Sequence, residues 1–251
     1  MAVLAVSVPL HIFDLVASNV FEISLAIGFS AALLALLLGI LAYVRLWFTG
    51  DRGWRPASLG VALGLVCLTP AAYAGYLAFT LPSTADVSTA LLSPPDLIMA
   101  RGATAEIDPE LILVSYPNLI TRFYQIPTTV LFELAEKQAR QRGWQVIGSM
   151  APEAEGEGGS LNALRRSLLG WSNEMAMRVA PGPVGALIDL RAASLHATPH
   201  DLGDNGRAIE GFLRALDQSV TEYIQRNMAF TDDDAQETVV EGLEGDGLEG
   251  E

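Results

Sequence analysis

Reactive residue types gather in one short segment, Arg191-Ala-Ala-Ser194 followed by His196, and then His200-Asp-Leu-Gly-Asp-Asn-Gly206 with Arg207. Asp, Gly, Asp, Asn and Gly just ahead of an apolar-periodic stretch mark a helix start. Either Asp204 or Asn205 can cap that helix by accepting from an N–H two or three residues on, an interaction worth about 1 kcal/mol. The free N–H groups and the helix dipole also favour an anion there, and Arg191 and Arg207 would add positive charge. The competing reading makes Arg191, on an inner strand, a buried partner of Asp201 that pins the loop. Arg191, Ser194, Asp201, Asn205 and Arg207 are therefore candidates for an anion or ligand site, or for a structural pair with its neighbours.

Other chemistry has weaker support. His196 and His200 are four apart, and on a helix they would share a face for a metal. Pro199 between them argues against a helix and no third ligand is evident, so neither a metal nor another cofactor is expected. Ser160, Ser167, Ser172 and Ser194 lie in no Gly-x-Ser-x-Gly pattern. Glu153, Glu155 and Glu157 read as a solvated, glycine-rich turn rather than a catalytic carboxylate pair. The net charge of −14 is unevenly placed, since residues 231–251 hold nine acidic and no basic residues, which leaves −5 for the rest. That balance argues against nucleic acid as a partner. The acidic tail has too few apolar groups to offset ordering entropy and is expected to be disordered and solvated, with a basic partner as the alternative.

These residues must be positioned by what precedes them, and the apolar fraction of 51% is concentrated before residue 82. Ile23 to Val44 and Ala57 to Ala85 are uncharged runs. Each exceeds the roughly 20 residues needed to cross a hydrocarbon layer of about 30 Å, so residues 23–81 are expected to form a two-helix transmembrane hairpin in contact with a lipid bilayer. The first residues carry no Lys or Arg to serve as the n-region of a cleaved signal. Arg45, Arg52 and Arg55 against Asp51 make the connecting loop basic, with Trp47, Phe48 and Trp54 as interfacial anchors. Short Arg-rich loops stay in the cytoplasm. Both termini are then expected on the far side, the periplasm of a Gram-negative cell, with the chain in the inner membrane. Gly60 and Gly64, and Ala71 and Gly75, are small-residue pairs that allow close approach to the first span or to a membrane-protein partner. Pro70 predicts a kink. Residues 1–22 suggest an interfacial helix over Ile12 to Phe21. Cys67, the sole cysteine, falls in the second span, so the exported part must be held together by its core.

Residues 82–115, rich in Pro and Ser, read as an extended linker. Residues 116–230 read as one domain. Arg122 to Ile126 alternates as a strand. Pro127 then opens a helix to Arg142 with Val130, Leu131, Leu134 and Ala135 inward. Trp144 to Gly148, Leu161 to Leu169, Met175 to Ala180 and Ala186 to Ala193 read as four further strands. Ile209, Phe212, Leu213, Leu216, Val220, Tyr223 and Ile224 form one face of a closing helix. The order predicts an α+β fold, an antiparallel sheet with two helices packed on one face.

Arg191-Ala-Ala-Ser194, Asp201-Leu-Gly-Asp-Asn205 and Ile209 resemble, in that order, the signature of the family catalogued as domain of unknown function 1499. Leu169 to Arg178 resembles its preceding strand pair, and Tyr116-Pro-Asn118 with Arg140-Gln-Arg-Gly-Trp144 is similar to its opening segment. Asp86-Val-Ser-Thr89 and Pro94-Pro95 are similar to the linker after the membrane hairpin in proteobacterial members. The chain departs from the pattern at Ala192, Leu195, Asn173 and Glu174, by one extra residue between Ser194 and Asp201, and by the early basic Arg207. The resemblance implies no assigned activity. With no nucleophile, base and oxyanion set, the expected function is a membrane-anchored, non-catalytic envelope protein that binds a partner protein or envelope ligand. An accessory subunit or assembly factor of an inner-membrane complex, and an enzyme acting on an anionic envelope substrate through Arg191, Asp201 and Arg207, are the alternatives.

Overall fold

The computed structural model describes residues 2–50, 52–100, 109–196, 198 and 200–245, with side chains placed from Val3 to Asn227. Asp51, Arg101 and the final residues 246–251, on which parts of the charge argument fall, lie outside this description. Three helices come first: α1 (Ala2–Ile12), α2 (Ser18–Thr49) and α3 (Trp54–Thr80). The expected interfacial helix over Ile12 to Phe21 is not the one that forms. Helix occupies Ala2–Ile12, a left-handed Asp14 breaks the chain, and Phe21 belongs to α2.

α2 and α3 are long and apolar enough to cross a membrane, and few of their side chains are buried within the structure. They pack on each other through small residues. A Cβ at Gly39 would lie 2.7 Å from Val61, and one at Gly64 only 3.1 Å from Leu36. Gly64 is therefore used inside the hairpin, whereas Cβ positions at Gly60 and Gly75 meet nothing within 4 Å.

The rest of the chain follows as β1 (Asp86–Ser88), α4 (Pro109–Ser115), β2 (Arg122–Tyr124), α5 (Thr128–Gln141), β3 (Gln145–Met150), β4 (Gly159–Arg166), β5 (Ser172–Pro181), β6 (Ala186–Ser194) and α6 (Asp204–Gly245). The fold is α+β, as the pattern predicts. The antiparallel sheet runs β1-β6-β5-β4-β3, and β2 also pairs with β6, so β1 and β2 share its outer edge. Alternation on β5 and β6 separates two faces. Met175, Met177, Val179, Ile188, Leu190 and Ala192 meet Leu131, Phe132 and Ala135 of α5 and Ile209, Phe212, Leu213 and Leu216 of α6 in the main core. Burying each large side chain there stabilises the fold by about 1.5–3 kcal/mol.

The opposite face carries Glu174, Ala176, Arg178, Asp189, Arg191 and Ala193, and it is covered by the stretch expected to be a linker. Val87, Leu97 and Ala100 are buried, and β1 pairs with β6 through Asp86↔Ala193 and Ser88↔Arg191. This strap belongs to the domain. Its Pro-rich, non-periodic sequence hides that role, because its order comes from the sheet's polar side chains rather than from a stripe of its own. α6 is helical to Gly245, past the point where composition predicts disorder. A helix propagating from a packed stem needs no new nucleus.

Candidate functional site

The joins of the chain gather at one end of the sheet. The α3–β1 connection, the β4–β5 tip (residues 167–171) and the β6–α6 loop all lie there, because Asn173 of β5 pairs with Ser194 of β6 and Asp86 with Ala193. Two polar clusters result, one under the strap and one at the start of α6.

Arg191 belongs to the strap cluster. Its Nε and Nη2 donate to the two carboxylate oxygens of Asp86 at 3.0 and 2.6 Å, and its Nη1 donates to Pro95 O. Such a fork against a carboxylate is the strong geometry for an ion pair. The expected Arg191–Asp201 pair therefore does not form. Asp86 was hidden in the presumptive linker, and it takes the place assigned to Asp201. Beside it, the fully buried Glu174 accepts from Ile98, Met99 and Ala100 N–H at 2.7–2.8 Å and from Asn162 Nδ2 at 2.8 Å. Arg178 donates to Ser93 O and Asp189, and Thr121 also donates to Asp189. These groups form a latch for the strap.

The second cluster surrounds the α6 N-terminus. Asp201 caps it, in place of the expected Asp204 or Asn205: its Oδ1 accepts from Gly203 N–H at 2.8 Å and its Oδ2 from Asn205 N–H at 2.7 Å. Leu202 and Gly203 are both left-handed, at φ 54° and 74°, which turns the chain sharply enough to bring that carboxylate back over the helix start. Burial pushes the Asp201 carboxyl above its ordinary value, against the two backbone N–H bonds, and nearby Asp204 adds to the push. Arg165, almost wholly buried, donates from Nη2 to Asp204 at 2.7 Å and to Asn205 Oδ1 at 2.5 Å. Asn205 Nδ2 donates to Ala85 O, and Ser194 Oγ donates to Asn173 Oδ1 at 2.8 Å. Tyr116 packs against this helix start so closely that a Cβ at Gly206 would fall 2.5 Å from its ring. Burial, with Asp201 adding to it, pushes the Tyr116 hydroxyl up to about 12.

A cavity of about 90 Å³ opens beside this network. Asn173, Ser194, His196, His200, Asp201 and Asp204 line it from the domain, Ser167, Trp171 and Ser172 from the β4–β5 tip and the start of β5, and Glu22 from α2. Of the five residues singled out from the sequence, Ser194 and Asp201 line the cavity and Asn205 braces it from within. Arg191 lies in the latch, and Arg207 donates to Leu202 O at the exposed outer side of the loop. The wall thus carries carboxylates, imidazoles and hydroxyls and, among the described residues, no Lys or Arg. The anion reading loses the two cations on which it was built. His200 Nδ1 accepts from Leu202 N–H, and no group of three metal-ligating side chains forms among the described residues.

Sequence reasoning missed Arg165, Trp171 and Glu22 at this site, and Asp86 and Glu174 in the latch. Arg165 follows Ala163-Leu164 and Glu174 precedes Met175-Ala-Met177, and a charge beside such an apolar run within a strand was the available signal. The model of a family described as protein of unknown function (DUF1499) matches residues 86–216, just over half of the chain. The match begins at β1 and ends within α6, so it takes in both the strap and the cavity loop. No curated protein and no solved structure matches the chain.

Proposed function

The chain belongs to the family described as protein of unknown function (DUF1499), and from that premise we propose a membrane-anchored, non-catalytic protein that binds a small polar ligand or partner segment at the membrane surface. The observation that carries this reading is the cavity shared by Glu22 of α2, Trp171 of the tip and Asp201 of the α6 cap. Glu22 is the last charged residue before the uncharged run of α2, so the cavity would lie at headgroup level once α2 crosses a bilayer. Exposed apolar side chains along α2 and α3 support the membrane assignment, because a core helix would bury them. Arg45, Arg52 and Arg55 at the far end of the hairpin favour a cytoplasmic loop and an exported domain, in the inner membrane of a Gram-negative cell.

The full chain, purified in mild detergent, should retain a discrete small molecule or lipid detectable by native mass spectrometry, and Ser172→Phe, which fills the cavity, should lose it. An identical set of retained masses in both proteins, or none in either, would refute the cavity as the binding site. A second reading has one specific observation in its favour. The open Cβ positions at Gly60 and Gly75 leave part of the α3 surface available to a partner helix, as an accessory subunit would require. Gly60→Leu with Gly75→Leu should release such a partner without disturbing the cavity.

A further inference from the structure

α2 is longer than a bilayer needs. Its 32 residues extend for about 48 Å, against a hydrocarbon layer of about 30 Å. The uncharged run starts at Ile23, directly after Glu22. The first turn of α2 therefore belongs to the headgroup layer and the turns after it to hydrocarbon. α1 is folded back along these turns. At one end His11 stacks on Phe21 with ring centroids 4.2 Å apart. At the other, a Cβ built on Gly28 would lie 2.5 Å from Leu4 Cδ2, so the missing side chain lets α1 lie close against α2. Gly28 is six residues past Glu22, which puts the start of α1 about 9 Å deeper than Glu22 along the axis of α2.

The same end of the molecule holds three large apolar side chains out into the open: Phe13 is 73% exposed, Leu15 71% and Leu168 90%. They come from two segments far apart in sequence that are locked together. Arg166 pairs with Asp14, and His11 Nδ1–H donates to Leu169 O at 2.6 Å. Gly170, at φ 96°, allows the tip to approach so closely that a Cβ there would sit 2.9 Å from His11 O. Trp171 closes the contact edge-on to His11. Polar bonds and a ring cluster thus fix the tip against α1, while the apolar side chains beside them have little cover from the described residues. Apolar area left in water costs about 25 cal/mol per Å², and a hydrocarbon phase adjoining α2 would recover it.

We infer that α1, the turn after it and the β4–β5 tip form one lipid-contact surface, which seats the soluble domain directly on the leaflet it faces. Phe13, Leu15 and Leu168 enter that leaflet from above and α1 lies within it against α2, a shallow half-membrane element rather than a further span. The inference rests on the membrane reading of α2 and α3, and it fixes the cavity mouth at the headgroup layer.

Single cysteines test it in the full chain carrying Cys67→Ala and reconstituted in phosphatidylcholine–phosphatidylglycerol nanodiscs. Phe13→Cys and Leu168→Cys report on the surface, Leu37→Cys on mid-span, and Val184→Cys on the turn at the opposite end of the sheet. Phe13→Cys and Leu168→Cys should react with a membrane-impermeant maleimide about tenfold or more slowly than Val184→Cys, as partition of a large apolar side chain into hydrocarbon implies. A fluorophore at either position should be quenched best by a nitroxide near the headgroup, and one at Leu37→Cys by a nitroxide deep in the chain. If both surface positions react as fast as Val184→Cys while Leu37→Cys stays protected, the lipid-contact surface is overturned and the spans stand. If Leu37→Cys reacts as fast too, the membrane reading fails and takes the inference with it.

Discussion

The latch under the strap and the cavity beside α6 use the same residue types, one to each side of β6, yet they differ in what they leave over. In the latch every charge is consumed. Asp86 and Arg191 share two bonds, Glu174 accepts four, and Asp189 accepts from Arg178 and Thr121. Among the described residues, His200 Nε2 is enclosed without a partner beside about 90 Å³ of open space, and Arg165 Nε likewise in the network at the start of α6. An arginine in a signature-like run is thus no guide to a ligand site until its partner is known. Unfilled space and unpaired donors separate a site from a clamp, and charge alone does not.

If the latch is structural, breaking it should give the largest effects. Glu174→Ala takes the acceptor from three backbone N–H groups, two of them part-buried, and from one N–H of the Asn162 amide, which keeps its bond to Asp96 O. Each buried group left unsatisfied costs about 1–3 kcal/mol. A loss of at least about 3 kcal/mol in urea unfolding is expected, with new protease cleavage in residues 89–100. A folded variant of unchanged midpoint would show that the strap is held by other means. Next come Arg191→Ala and Asp86→Ala, each expected to lose about 3 kcal/mol because a mostly buried charge is left unpaired. The double variant should recover a coupling of about 1–3 kcal/mol. Arg191→Ala combined with Asp201→Ala should be additive, since the two share no bond. Coupling between Arg191 and Asp201 would return them to one network and erase the distinction between the clusters.

The cavity side should respond to pH through Asp201. Because burial raises Asp201 in the folded state, the native protein binds a proton there more readily than the unfolded chain does. The stability this group contributes is fully present below the unfolded carboxylate value of about 3.9 and is lost as pH rises through the higher folded value. Asp201→Asn does not titrate. The stability of the wild type relative to Asp201→Asn should therefore fall with rising pH from about 4 upward, then level off. Urea midpoints of both proteins across that range give the difference directly. A flat or rising difference would mean that the two N–H bonds outweigh burial.

How much of this was legible in the sequence depends on whether a residue's partner is local. The closing helix was readable from its stripe, since Ile209, Phe212, Leu213 and Leu216 repeat at helical spacing and all are buried. The strands β3 to β6 were readable as strand-like runs between turns, and the antiparallel sheet followed from the order of strands and helices. The strap was not readable. Asp86 and Arg191 are more than a hundred residues apart, and nothing in either neighbourhood announces the pair. α1 was misplaced for a related reason: Pro9 and His11 suggest a break, but Pro9 lies inside a helix that His11 ties to both α2 and the tip. The family resemblance singled out the loop around Asp201 and Asn205, which borders the cavity. It could not say that Arg191 faces away from it.

Arg207 gives the smallest effect and the sharpest check on the comparison, because it belongs to neither cluster. Its one described hydrogen bond runs to Leu202 O on the exposed side of the loop. Arg207→Ala should therefore change unfolding free energy by no more than about 0.5 kcal/mol, as for other surface substitutions. It should also leave ligand retention as it is, whereas Ser172→Phe removes it. Loss of retention in Arg207→Ala at unchanged stability would mean that the loop turns its cation inward when a ligand is bound. The cavity would then be an anion site completed by Arg207, and its acidic wall would be only the empty half of it.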